Sequence, residues 1–202
     1  MPRLVLGSRN AKKLRELADL LADLGVEVTD LSPYPAAPEV DETGTTFEEN
    51  ARLKAVTLAP VLNEWVLGED SGLVVPALGG QPGVYSARWA GRHGDDAANN
   101  AKLLAEMAGL AGDRRAAYYV STAALAAPDG TVVAVADGRC HGVIATEPRG
   151  TSGFGYDPLF LIPEYHATFG ELSPTVKQAL SHRARAISKL RPSIRQWVAG
   201  SG

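Results

Sequence analysis

The run Trp65-Val66-Leu67-Gly68-Glu69-Asp70-Ser71-Gly72-Leu73-Val74-Val75 sets two adjacent carboxylates between stretches that belong in a core. An ionised acid near a core forfeits its hydration unless a metal, a cationic side chain or several backbone N–H groups replace it. Two readings follow. In one, a buried strand ends at Glu69-Asp70 and offers hard oxygen ligands to a divalent cation for phosphate chemistry. In the other, the segment is a polar turn between strands, with Asp70 and Ser71 bonding their own backbone and Gly72 supplying a positive φ.

At 202 residues and 45% apolar composition, the chain is expected to form one domain over 1–202, with two lobes. Its single Cys140 cannot form an internal disulfide and no zinc-type Cys/His spacing occurs, so a reducing cytoplasm fits. Leu14 to Leu24 is interrupted by Arg15, Glu16, Asp19 and Asp23, which is not the pattern of a secretion signal, and no apolar run approaches the ~18 residues of a membrane span. A net charge of −3 argues against a nucleic-acid polymer as partner, because counterion release needs a broad basic face. A small anion needs only a few local cations.

Arg3 to Gly7 reads as a short buried strand, and Leu14, Leu17, Ala18, Leu21 and Leu24 recur at helical spacing up to Gly25. Val26 to Leu31 predicts a second strand, followed by a long loop from Ser32 to Gly44. Thr45 and Thr46, with Glu48 and Glu49 three residues on, are overlapping capping-box signals for a helix that Pro60 ends or kinks. Lys54 falls on that helix's apolar stripe, an unusual place for a residue that avoids full burial. Asp95 or Asp96 caps a further helix to Met107. Tyr118 to Ala127 and Thr131 to Ala136 form a hairpin about Pro128-Asp129-Gly130, and Arg139 to Ile144 extends the same sheet. Two helical stretches begin near Pro174 and His182.

Ser8-Arg9-Asn10-Ala11-Lys12-Lys13 stands where a strand turns into a helix, so free N–H groups, the positive helix end and cationic side chains would converge on an anion. It lacks the glycines and the following Ser or Thr of a P-loop, and a solvated helix face remains the alternative. Gly150, Gly153 and Gly155 do not match a dinucleotide fingerprint. Phe154 and Tyr156 beside those glycines could offer an aromatic face to a base with Asp157 as an edge acceptor, or could simply be core aromatics in a tight loop. Lys177, His182 and Arg183 gather three donors able to reach purine carbonyl oxygens. Carboxylates without His ligands favour magnesium or manganese over zinc.

In order along the chain, Ser8 to Lys13, Glu42-Thr43-Gly44 with Thr46-Phe47 and Glu49-Asn50-Ala51, Glu69 to Leu73, Leu78-Gly79-Gly80 with Pro82 to Arg88, Gly153 to Pro158, and Ser181-His182-Arg183 resemble the inosine/xanthosine triphosphate pyrophosphatases. The resemblance implies an elongated α/β fold: a mixed sheet flanked by helices, with two lobes around a central cleft, in a cytoplasmic homodimer. It implies Mg²⁺, with Mn²⁺ as a substitute, and hydrolysis of noncanonical purine nucleoside triphosphates such as ITP, dITP and XTP to the monophosphate and pyrophosphate. Carried over by position, Ser8, Arg9, Asn10, Ala11, Lys12 and Lys13 hold the triphosphate. Glu42 and Asp70 bind the metal, Asp70 also accepts the proton of the attacking water, and Ser71 touches the substrate. Phe154, Gly155, Tyr156 and Asp157 stack on and border the base, while Lys177, His182 and Arg183 meet its oxygen-bearing edge. Two other readings are a septum-inhibitor-type pyrophosphatase, whose Ser-Pro-Arg-Arg opening is absent here, and a nucleotide sensor that does not hydrolyse.

Overall fold

The structure, a computed structural model, describes residues 1–200. In chain order its elements are β1 (Arg3–Leu6), α1 (Ala11–Leu21), β2 (Glu27–Thr29), α2 (Phe47–Leu62), β3 (Trp65–Val74), α3 (Asp96–Glu106), β4 (Ala116–Ala126), β5 (Val132–Ile144), β6 (Phe160–Ile162), β7 (Ala167–Thr168), α4 (Pro174–Leu180) and α5 (His182–Ala199). The strands form one mixed sheet in the order β2-β1-β3-β4-β5-β6-β7. β1 runs parallel to β2 and β3, whereas β6 is antiparallel to β5 and β7. Residues divide into two compact units, one of Met1–Asp70, Ser121–Gly138 and Arg183 onward, the other of Ser71–Val120 and Arg139–His182.

In the first unit the period-2 alternation of strands sorts side chains onto two faces. Leu4, Leu6, Leu67, Ala123 and Leu125 pack on Leu17 and Leu21 of α1 and on Ile187, Leu190 and Ile194 of α5. Val5, Val66, Ala124 and Ala126 pack on Ala51, Ala55, Leu58 and Ala59 of α2. Both faces of these strands are covered, which is why they read as unbroken apolar runs. α2 begins with a complete capping box between Thr46 and Glu49. It continues through Pro60 to Leu62, so the proline does not end it. Gly68 brings the helix onto the strand: a Cβ there would lie 2.1 Å from the Ala51 carbonyl oxygen and 2.7 Å from the Ala55 nitrogen.

Two sequence expectations change. The acid pair neither ends a strand nor forms a turn, because β3 runs unbroken from Trp65 to Val74 and Gly72 has no positive φ. Adjacent strand residues point to opposite faces, so Glu69 goes with Leu67 toward α1 and α5, and Asp70 goes with Val66 toward α2. Each acid meets its own cation, and the strand has no need to stop. Likewise, Thr131 to Ala136 and Arg139 to Ile144 belong largely to one continuous strand, β5. The short β7 and a 3₁₀ turn over Gly83–Arg88 carried no periodic signal.

The second unit packs Leu103 and Met107 with Tyr119, Ile144, Tyr156, Phe160 and Phe169. Buried Arg115 ties its loops together, donating from Nε to Ile144 O (2.6 Å), from Nη1 to Met107 O (3.0 Å) and Leu110 O (3.1 Å), and from Nη2 to Ala145 O (2.7 Å). A lysine has no fork of that geometry. Arg115→Lys is expected to destabilise the protein by about 2–4 kcal/mol, since each buried carbonyl left unpaired costs roughly 1–3 kcal/mol and water replaces some partners. The urea midpoint measures this, and an unchanged midpoint would assign the fork no structural weight.

Candidate active site

In the first unit the chemistry gathers around the two faces of β3. On the α2 face, Asp70 Oδ2 accepts from Asn50 Nδ2 at 3.1 Å, and Lys54 Nζ lies 3.5 Å from Asp70 Oδ1 and 2.7 Å from Glu42 Oε1. Lys54 also donates to the Glu69 carbonyl oxygen at 3.1 Å. Its place on the apolar stripe is thereby explained: the stem crosses the core face and the ammonium serves two carboxylates. Burial alone would lower its pKa, but Asp70 and Glu42 outweigh it and hold the ammonium above the ordinary lysine range. Asp70 moves up as well, mainly by burial and further by Glu42, with Lys54 opposing.

On the opposite face, buried Glu69 gathers three partners. Lys13 Nζ lies 2.7 Å from its Oε2, Arg183 Nη2 lies 3.1 Å from its Oε1, and Ser121 Oγ donates to Oε1 at 2.7 Å. Arg183 Nη1 reaches Glu16 as well. Burial would raise the Glu69 pKa, yet Arg183, Lys13 and Ser121 hold it well below the usual carboxylate range.

The first loop differs from its expectation. The Asn10 side chain caps α1, accepting from Lys12 N at 3.0 Å and Lys13 N at 3.2 Å, while Ser8 Oγ accepts from Asn10 N at 3.2 Å. Those amide groups are therefore not free for an anion, because an Asn at the N-cap satisfies them internally. Arg9 donates to Tyr34 O at 3.3 Å. Ala11 opens the helix, Lys12 is exposed, and Lys13 alone of this loop joins Glu69.

The second unit holds an aromatic and cationic group. Asp157 Oδ2 accepts from Lys177 Nζ at 2.7 Å and from Phe154 N at 2.7 Å, and Tyr119 Oη lies 3.4 Å from Asp157 Oδ1. Lys177 Nζ stands 4.7 Å from the centre of the Phe154 ring, and the His182 ring stacks on Tyr119 at 4.7 Å with 12° between planes. Burial, reinforced by Asp157, pushes the Tyr119 hydroxyl well above its usual pKa, so it stays a neutral donor. Tyr156 is buried and donates to Ser86 O at 2.9 Å. Its ring belongs to the core and offers no stacking face, which corrects that part of the aromatic expectation. Gly155 sits at φ +61, and a Cβ on Gly153 would lie 2.0 Å from Asp157 Oδ2. Ser71 lies in β3 just past Asp70.

Arg183, adjacent in sequence to His182, joins Glu69 and Glu16 through its guanidinium. Sequence reasoning did not single out Ser121, Tyr119 or Glu16 for these roles. The only available signal was a serine inside the apolar run of β4.

A divalent cation fits the Glu42–Asp70 pair on chemical grounds. Both supply hard oxygens and converge on one ammonium. Among the described residues no group of three or more His, Cys, Asp or Glu side chains forms a complete cage. Magnesium takes one or two protein carboxylates when phosphates and waters fill its remaining positions. Among the same residues no helix is long and apolar enough to cross a membrane.

The Ham1 family model matches residues 4–193. The dITP/XTP pyrophosphatase of Rhodopirellula baltica is 54% identical over 195 residues, covering 96% of this chain and 94% of that protein. The enzyme of the same name from Geobacillus kaustophilus is 48% identical over 202 residues, covering 100% and 98%. Among solved structures, a HAM1 protein from Coxiella burnetii aligns with a TM-score of 0.87 at 37% identity, over 97% of this chain and 100% of that one.

Proposed function

The chain belongs to the Ham1 family, and from that membership together with the charge layout around β3 we propose that it hydrolyses noncanonical purine nucleoside triphosphates to the monophosphate and pyrophosphate. ITP, dITP and XTP are the substrates, and removal of such nucleotides from the pool is the role. The observation that carries the reading is the convergence of Asp70 and Glu42 on Lys54 beside a strand whose other face bears Lys13.

Glu42 and Asp70 are the residues that would hold Mg²⁺ or Mn²⁺, which when bound polarises phosphoryl oxygens and acidifies water. The remaining work falls to the chain. Lys13 is the main electrostatic contact for the triphosphate, with Ser8, Arg9, Asn10, Ala11 and Lys12 forming the rest of its loop. Asp70 takes a proton from the attacking water as oxygen bonds to the α-phosphorus. The α-phosphorus–oxygen bond to the β-phosphate breaks, and pyrophosphate carries away the electron pair. Lys54 holds Asp70 and Glu42 in place. Positioning and electrostatics supply most of what phosphoryl transfer needs.

Phe154 is the stacking face for the base, flanked by Gly155 and the backbone of Tyr156, and Ser71 touches the substrate. Asp157 orients Lys177, and Lys177 and His182 supply donors for the purine edge, while the neighbouring Arg183 is anchored on Glu69 and Glu16. Hypoxanthine and xanthine carry a 6-oxo group where adenine carries an amine, so such donors would be left unpaired against adenine at roughly 1–3 kcal/mol each. The homodimer and the cytoplasmic location expected from the family belong to the same proposal.

The test is product identity. Purified protein with ITP and Mg²⁺ is expected to release inosine monophosphate and pyrophosphate in equal amounts, with ATP turned over at least ~10-fold less efficiently, the factor that one unpaired donor implies. Orthophosphate without pyrophosphate would place the attack at the terminal phosphorus and defeat the reading.

A further inference from the structure

Phe154 lies between two glycines of positive φ, Gly153 at +78 and Gly155 at +61. Glycine backbones are the costliest to order, so a platform mounted on them stays put only if something outside fixes it. Asp157 holds the near side through the Phe154 N–H. On the far side, α3 holds both polar groups of one residue. Asp96 Oδ2 accepts from Gly155 N at 2.9 Å, and Asn100 Nδ2 donates to Gly155 O at 2.9 Å. The Asn100 amide is itself aligned by a 2.8 Å bond to Asp96 O, one helical turn back. Asp95, not Asp96, caps the helix through Ala98 N, so the Asp96 carboxylate is spared for the loop.

We infer that Asp96 and Asn100 are positioning residues for nucleobase binding: by gripping Gly155 from the first turns of α3 they fix the Phe154 ring in the orientation that stacks on the purine. This rests on the proposed assignment of Phe154 as the base platform. Neither residue touches the reacting atoms. A stacking contact is made equally in the ground state and the transition state, so its loss raises KM and leaves kcat alone. A role confined to holding the fold would instead lower thermal stability and the active fraction, and with them the apparent kcat.

The experiment pairs kinetics with amide exchange on the full chain. Asn100→Asp is nearly isosteric but sets a carboxylate against the Gly155 carbonyl, and Asp96→Ala removes the acceptor, while Asp96→Asn retains one. With ITP as substrate, N100D and D96A are expected to raise KM about 10-fold at a kcat within 2-fold of wild type. D96N is expected to recover KM to within about 3-fold, as the charge-assisted bond becomes a neutral one. Hydrogen exchange is expected to show protection of the 153–157 segment lost in D96A and N100D, with α3 still protected. If exchange rises over that segment while KM for ITP stays within 2-fold, the loop is held as described but does not orient a base, and the inference fails. Unchanged exchange in both variants overturns the grip itself. If wild type releases no pyrophosphate from ITP, the functional reading falls by itself, and the exchange measurement still decides whether α3 fixes the loop.

Discussion

Asp70→Asn is expected to reduce turnover of ITP by about 10³-fold while leaving the protein folded, since a positioned general base contributes typically 10²–10⁴. The substitution keeps the shape and an acceptor for the Asn50 amide, and Lys54 keeps Glu42 as its ion-pair partner. Burial disfavours the charged form of Asp70, so neutralising it removes a desolvation cost along with part of an ion pair, and the two changes oppose. Stability within about 1 kcal/mol of wild type is therefore expected. Initial rates with pyrophosphate detection, beside a urea titration, measure both quantities. A variant that keeps more than a tenth of wild-type turnover would remove Asp70 from the role of base.

Glu69→Gln is the change with the largest expected effect on stability, about 3–5 kcal/mol, the range found when one member of a buried ion pair is removed. Its carboxylate is the shared counter-charge of Lys13 and Arg183, and Arg183 is almost wholly buried. Glu16 remains to Arg183, which places the loss toward the lower end. The same substitution alters pH dependence in a defined direction. Because the folded-state pKa of Glu69 lies below its unfolded value, its stabilisation is fully present above the unfolded pKa near 4.3 and is lost as pH falls through the folded value. Denaturant midpoints from pH 7 downward should show an acid-side decline in wild type that is smaller in E69Q. Identical declines would mean that Glu69 is not the group being protonated. Turnover is expected to fall as well, by roughly 10-fold, because Lys13 loses the partner that aims its ammonium and a small displacement of a positioning group is costly.

Much of the fold was legible because period and punctuation agreed. The helical stripe of α1 up to Gly25, the capping box at Thr46 and the turn after Ala127 each appear as the spacing predicts. The reading of Glu69-Asp70 as a strand end failed for a particular reason. Hydropathy treats two charges as a break, whereas alternation in a strand sends them to opposite faces, where distant residues neutralise each. Those residues, Lys13, Arg183, Lys54 and Asn50, lie 16 to 114 positions away from the acids they meet, and local pattern carries no such information. The same applies to the first loop, where the strand-to-helix turn stands as expected but the capping of Lys12 and Lys13 by Asn10 was not foreseen. Lys54 was the exception: a lysine on an apolar stripe is locally anomalous, and it proved to pair with Glu42 and Asp70.

The division of the chain into two units has a consequence for how this protein can be taken apart. The first unit is assembled from three separated stretches and the second from two, with changes of unit at 70/71, 120/121, 138/139 and 182/183. No single cut releases either unit as an uninterrupted polypeptide. Asp70 and Arg183 stand immediately at such changeovers, so any fragment that ends there severs a strand or a helix start at a residue carrying the chemistry. Fragment expression and fusion at these points would sacrifice activity, and insertions are better directed to the turn at exposed Asp129. Such a protein is inherited and engineered whole, by substitution within it and not by exchange of parts.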